Sequence, residues 1–149
     1  MQGKATLNGH PIHPSLVPFP IAFFTGALIC DIVSHWGDAT FWPRMSLVLI
    51  GFGIIGALAA AIFGFVDYLS APLSPEAKNT ATTHMILNLV TVVIFAIAFY
   101  IRLGDVTATA GYVFTVLGVI VLTAGGYLGG HLAYHFGVGV AESGSQPHI

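Results

Sequence analysis

The chain alternates long apolar runs with short polar breaks. Four runs are continuously apolar and long enough to cross about 30 Å of hydrocarbon: residues 15–36, 44–69, 82–102 and 111–136. Each far exceeds the roughly ten-residue alternating segment of a membrane barrel strand, so the pattern predicts helices. The breaks are "GDATFWP" at 37–43, "SAPLSPEAKN" at 70–79 and "LGDVTATA" at 103–110. Links this short join antiparallel neighbours, so the expected fold is an all-α integral membrane protein, an up-down antiparallel four-helix transmembrane bundle. The N-terminal segment, the second link and the C-terminal tail then share one side, called here the N-side. The chain divides into a His/Pro-rich segment over 1–14, a transmembrane domain over 15–136 and a polar tail over 137–149.

Composition agrees with that pattern. Of 149 residues, 56% are hydrophobic and 7% charged, whereas a soluble domain carries about a quarter charged residues. The first run is read as a retained span rather than a signal peptide, because Lys4 is the only basic side chain ahead of it, Asp31 interrupts its far end and no small-x-small cleavage site follows. The single cysteine, Cys30, lies inside that run and has no intrachain partner, which makes it a packing residue. Basic residues tie across the two sides, Lys4 and Lys78 against Arg44 and Arg102, and leave orientation open. Small residues recur at intervals of four, as Gly56, Ala60 and Gly64 in the second span, and as Gly125 with Gly129 and Gly126 with Gly130 in the fourth. Such faces bring helix backbones together within one chain or between copies in a homo-oligomer. No long-period repeat stands out.

Candidate chemistry gathers at one end. Counting the helical rise of about 1.5 Å per residue from the middle of each span puts His84 and His131 level with one another on the N-side, with Asp67 further out and His13 and His135 near the headgroups. His10 belongs to the same end. Ionisable residues within a span are rare and usually face a functional interior, which singles out His84 and His131. His131 and His135 stand at i and i+4 on one helix face, as do His84 and Asn88. The prolines at 11, 14, 18 and 20 are expected to hold the entering chain extended, placing His10 and His13 over the bundle end as a lid. At the opposite end stand Asp31, His35, Trp36, Asp38, Trp42, Arg44, Arg102 and Asp105, expected as an interfacial belt of aromatics and mutually neutralising charges, with an Asp31–His35 proton path as the weaker functional reading.

"HPIHPSLVPFPIAFF" at the start, "GFVDYL" closing the second span, "THMILN" opening the third and "GGHLAYHFGVGV" closing the fourth together resemble the bacterial four-span membrane proteins grouped as domain of unknown function 2231. The resemblance covers nearly the whole chain. It implies a multi-pass protein of the bacterial inner (cytoplasmic) membrane, and it marks His10, Pro11, His13, Pro14, Asp67, His84, Asn88, Gly130, Tyr134 and Gly137. Some relatives are joined to Rieske-type iron–sulfur domains, which implies redox company. This chain has no cysteine pair to bind a cluster, so an iron–sulfur partner would be a separate protein.

Three functions are consistent with these residues. The first is a haem b protein moving electrons in the membrane, with axial ligands from His84 and His131, or from His13 and His84 across the diagonal; Asn88 or Asp67 would hold a ring tautomer and Gly130 would leave room for a flat macrocycle. Against the first pair, consecutive helices lie only about 8–10 Å apart. The second is a mononuclear Zn, Cu or Fe site built from His10, His13, His84, His131 and His135 with Asp67. The third is a structural or assembly subunit of a larger membrane complex. No nucleophile–base pair, phosphate loop or basic nucleic-acid patch is present, so an electron carrier or subunit is expected rather than an enzyme, and no nucleic-acid partner.

Overall fold

A computed structural model describes residues 3–8 and 10–140. It consists of a two-stranded hairpin, β1 (Thr6–Leu7) and β2 (His10–Pro11), followed by five helices: α1 (Ile12–Leu16), α2 (Pro18–Val33), α3 (Phe41–Ser70), α4 (Pro75–Gly104) and α5 (Thr109–Tyr134). α1 and α2 together make the first span, and α3, α4 and α5 make the other three; among the described residues these four stretches are long and apolar enough to cross a membrane. The expected all-α antiparallel bundle is the observed one. Residues 141–149, most of the polar tail expected over 137–149, lie outside the described residues.

Two boundaries differ from the sequence expectation. The entering chain is not extended through Pro14 and Pro18: it is already helical from Ile12, with a one-residue break at Val17. Pro14 falls in the first turn of α1 and Pro18 opens α2, positions where a missing N–H leaves no helical hydrogen bond unmade. The expected link at 70–79 contracts to Ala71–Ser74, because the Ser74 hydroxyl accepts from Ala77 N–H and Pro75 takes the first helical position, so α4 starts in polar sequence.

The bundle has a narrow core. Phe24 of α2 and Phe95 of α4 stack face to face, centroids 3.7 Å apart, with Ala27, Ile50, Ala98 and Leu122 around them. Gly53 of α3 lies against the Phe24 ring and Gly118 of α5 against the Phe95 ring, where a Cβ would come within 2.6 Å of ring carbon. Glycine there lets two large rings share the axis of a four-helix bundle. Outside, Ile55, Leu58, Ile62, Leu89 and Ile120 are mostly exposed. A water-soluble monomer rarely leaves so contiguous an apolar surface bare; hydrocarbon is its solvent.

Candidate functional site

The N-terminal hairpin is tied across the N-side end of the bundle. Asp67 Oδ1 accepts from Ala5 N–H at 3.0 Å, Ser70 Oγ accepts from Lys4 N–H at 2.9 Å, and Ile12 N–H donates to Ala5 O at 2.9 Å. Asp67 thus anchors the strap that delivers α1, and does not face an imidazole. His10 stays exposed on β2. His13, one turn on, enters the bundle.

There its ring lies on Gly64 of α3, and Nδ1 donates to the Ala60 carbonyl at 2.8 Å. His84 of α4 does the same on the other side: its ring lies on Gly129 of α5 and Nδ1 donates to the Gly125 carbonyl, again at 2.8 Å. A carbonyl can only accept, so both rings carry a proton on Nδ1, which makes Nε2 the nitrogen that could ligate a metal. The two rings face one another across the bundle, centroids 6.5 Å apart and planes at 83°. Asn88 Nδ2 sits 3.3 Å from Nδ1 and 3.1 Å from Nε2 of His84, and its other bond goes to the His84 carbonyl at 2.9 Å. A point that near both nitrogens in the ring plane would collide with Cε1, so the amide lies over the ring face and leaves the Nε2 lone pair in the plane. Among the described residues, nothing donates to Nε2 of His13.

His13 and His84, the diagonal pair of the sequence reading, therefore meet, and the depth reading needs correction at His13 and His131. His13 was expected near the headgroups, yet it reaches the level of His84, because the first span begins at Ile12 and the glycine seat at 64 draws the ring inward. His131 was expected level with His84; it lies in the last turn of α5, beyond the Gly125–Gly129 seat, and stacks on His135 at 4.6 Å with Phe136 edge-on at 5.2 Å. His135 and Tyr134 are exposed. The nearest contact a side chain at Gly130 would meet is Tyr134 of the same helix, at 4.0 Å, whereas Gly129 seats the His84 ring. No group of three His, Cys, Asp or Glu side chains gathers among the described residues, so the set His10, His13, His84, His131, His135 and Asp67 is not assembled into one metal site there.

The opposite end holds a cluster that sequence reasoning placed at the interface. Arg102 is wholly buried and donates to Asp31 Oδ2 at 2.5 Å, to Thr115 Oγ1 at 3.2 Å and to the Val106 carbonyl at 3.3 Å, with its guanidinium over the Tyr112 ring at 4.6 Å. Asp31 turns to Arg102 rather than to His35, which is exposed between Trp36 and Tyr112, so the expected Asp31–His35 path is not formed. The only sequence signal for this pairing was an Asp late in the first span and an Arg at the equivalent depth of the third.

A family model described as predicted membrane protein (DUF2231) matches residues 9–142. No curated protein and no solved structure matches the chain.

Proposed function

The chain belongs to the DUF2231 family of predicted membrane proteins, and from that footing we propose that it is a haem b protein carrying electrons within the bacterial cytoplasmic membrane, with His13 and His84 as the two axial ligands. The observation that carries the reading is the pair itself: two intramembrane imidazoles from opposite corners of the bundle, each held through Nδ1 to a backbone carbonyl, so that Nε2 is the ring nitrogen that would bind a metal. Haem, if bound, would be held by Nε2 of His13 and Nε2 of His84, whose ring centroids lie 6.5 Å apart. Bound there, haem iron would supply one-electron chemistry. The chain's part is to fix both tautomers, to face the pair with the small residues Ala60, Gly64, Gly125 and Gly129, and to surround it with lipid-facing helices that exclude water.

A bare Zn, Cu or Fe ion is less well supplied, because two imidazoles converge and no third protein donor joins them among the described residues. A macrocycle brings its own four equatorial nitrogens. A separate redox protein, such as an iron–sulfur protein, would exchange electrons at the N-side, the end at which the pair sits.

The test is spectroscopic. Protein expressed with ample haem and purified in detergent should show a sharp Soret band and resolved α and β bands on dithionite reduction. His13→Ala and His84→Ala should each abolish that spectrum, while His35→Ala and His131→Ala keep it. A colourless preparation with no haem by pyridine haemochromogen assay sinks the haem reading, and metal analysis of the same sample then separates a metal-ion protein from a structural subunit.

A further inference from the structure

The buried positions of the two hairpins repeat. α2 buries Pro20, Phe24, Ala27 and Asp31; α4 buries Thr91, Phe95, Ala98 and Arg102, each a constant 71 residues on, the separation of Asp31 from Arg102. α3 buries Ser46, Ile50, Gly53 and Ala60; α5 buries Gly111, Thr115, Gly118 and Gly125 at the same internal spacings. Contacts follow the register. Phe24 lies on Gly53 as Phe95 lies on Gly118, and His13 lies on Gly64 as His84 lies on Gly129. The carbonyls that take the two Nδ1 protons, Ala60 and Gly125, also correspond. Counterparts then touch one another at three levels: His13 with His84, Phe24 with Phe95 and Asp31 with Arg102. A residue can meet its own counterpart only on or beside a two-fold axis. Both hairpins start on the N-side, so that axis runs along the membrane normal, the parallel-repeat arrangement.

We infer that the protein is a duplicated helical hairpin fused into one chain, whose copies close on each other across an internal two-fold axis with the imidazole pair, the phenyl stack and the ion pair as successive layers upon it. The surface each hairpin buries is one that fits a second copy of itself. At two layers like meets like. At the third the copies have diverged into opposite charges, with Ser46 beside Asp31 where the other copy has Gly111, and Thr115 bonded to Arg102 where the first has Ile50. None of this depends on what the imidazole pair binds.

An internal two-fold means that the ion-pair layer can be turned by half a revolution and still fit. Full-length protein carrying D31R, R102D, S46G, G111S, I50T and T115I exchanges the ion pair and the four helix positions beside it with their counterparts. It should unfold within about 5 °C of the parent in detergent, while D31R alone and R102D alone, which bury like charges, fall by 10 °C or more or fail to accumulate. A six-fold exchange as unstable as either single change overturns the inference. A second measurement leaves the core untouched. Spin labels on the exposed positions Ile55 and Val93, and in a separate sample on their counterparts Ile120 and Ala22, should report the same distance in the full chain; peak distances that differ by more than the spread of either label pair contradict a two-fold.

Discussion

Arg102 draws its partners from α2, α5 and the loop beyond α4, and its side chain has no exposed surface. A charge so placed is held by its counter-charge, since the pair has lost its water and keeps only the mutual attraction and the hydrogen bonds around it. Arg102→Met should therefore cost about 3–5 kcal/mol by stranding Asp31. Arg102→Met with Asp31→Leu should recover most of that loss, because an apolar pair leaves no charge in the core. Denaturant titration in mixed micelles checks both; a single change as mild as the double would mean that the pair is not desolvated. The imidazoles obey a different rule. Each is held by a backbone carbonyl, and what positions them is the absence of side chains at Gly64 and Gly129, where a Cβ would stand 2.8 and 2.9 Å from ring atoms.

At the scale of elements, the loop ends facing away from the imidazole pair are capped by carboxylates. Asp38 accepts from the N–H groups of Thr40 and Phe41 at the start of α3, and Asp105 accepts from the N–H and hydroxyl of Thr107. Those bonds favour the charged form, so the Phe41 and Thr40 amides hold Asp38, and the Thr107 hydroxyl and amide hold Asp105, below the ordinary carboxylate range. A depressed folded pKa contributes stability that is complete above the unfolded value of about 3.9 and is lost as pH falls through the folded one. Carboxyl NMR titration should find both groups titrating below pH 3.9, with the Thr40, Phe41 and Thr107 amide shifts moving in step. Midpoints at or above that value would show that the caps do not form. The same local chemistry explains α4, which starts early at a Ser74–Pro75 cap, and the break at Val17, which prolines on either side impose.

For the whole molecule, four crossings put both described ends of the chain on one face. With Cys30 replaced by Ala, single cysteines at Lys4 and Lys78 should react with a membrane-impermeant maleimide from one side of sealed vesicles, and a cysteine at Ala39 only from the other. Labelling of positions 4 and 78 from opposite sides would end the four-span topology. That topology was legible because it depends on apolar run length and link length, both local properties of the chain. So was the end of the molecule where histidines collect, since helical rise converts sequence position to depth. Which of the two expected histidine pairs meets, His84 with His131 or His13 with His84, was not. His13 and His84 are joined through seats on two further helices, and a depth ruler sees neither the azimuth of a helix nor the inward draw of a glycine notch.

The internal two-fold was hidden for a related reason. Between corresponding buried positions the second hairpin is six residues shorter, Arg102 to Gly111 against Asp31 to Ser46, so no one period aligns both helices of a copy, and only a minority of counterparts keep the same residue, among them His13 and His84, Phe24 and Phe95, Gly53 and Gly118, and Gly64 and Gly129. The lipid-facing majority is free to vary so long as it stays apolar. Hydropathy along the chain thus dictates four helices, their order and their alternating direction, because transfer into hydrocarbon acts on each segment independently. Partner choice within the bundle, imidazole with imidazole and Asp31 with Arg102, arises from packing between segments far apart in the chain, where a missing Cβ on one helix admits a ring from another.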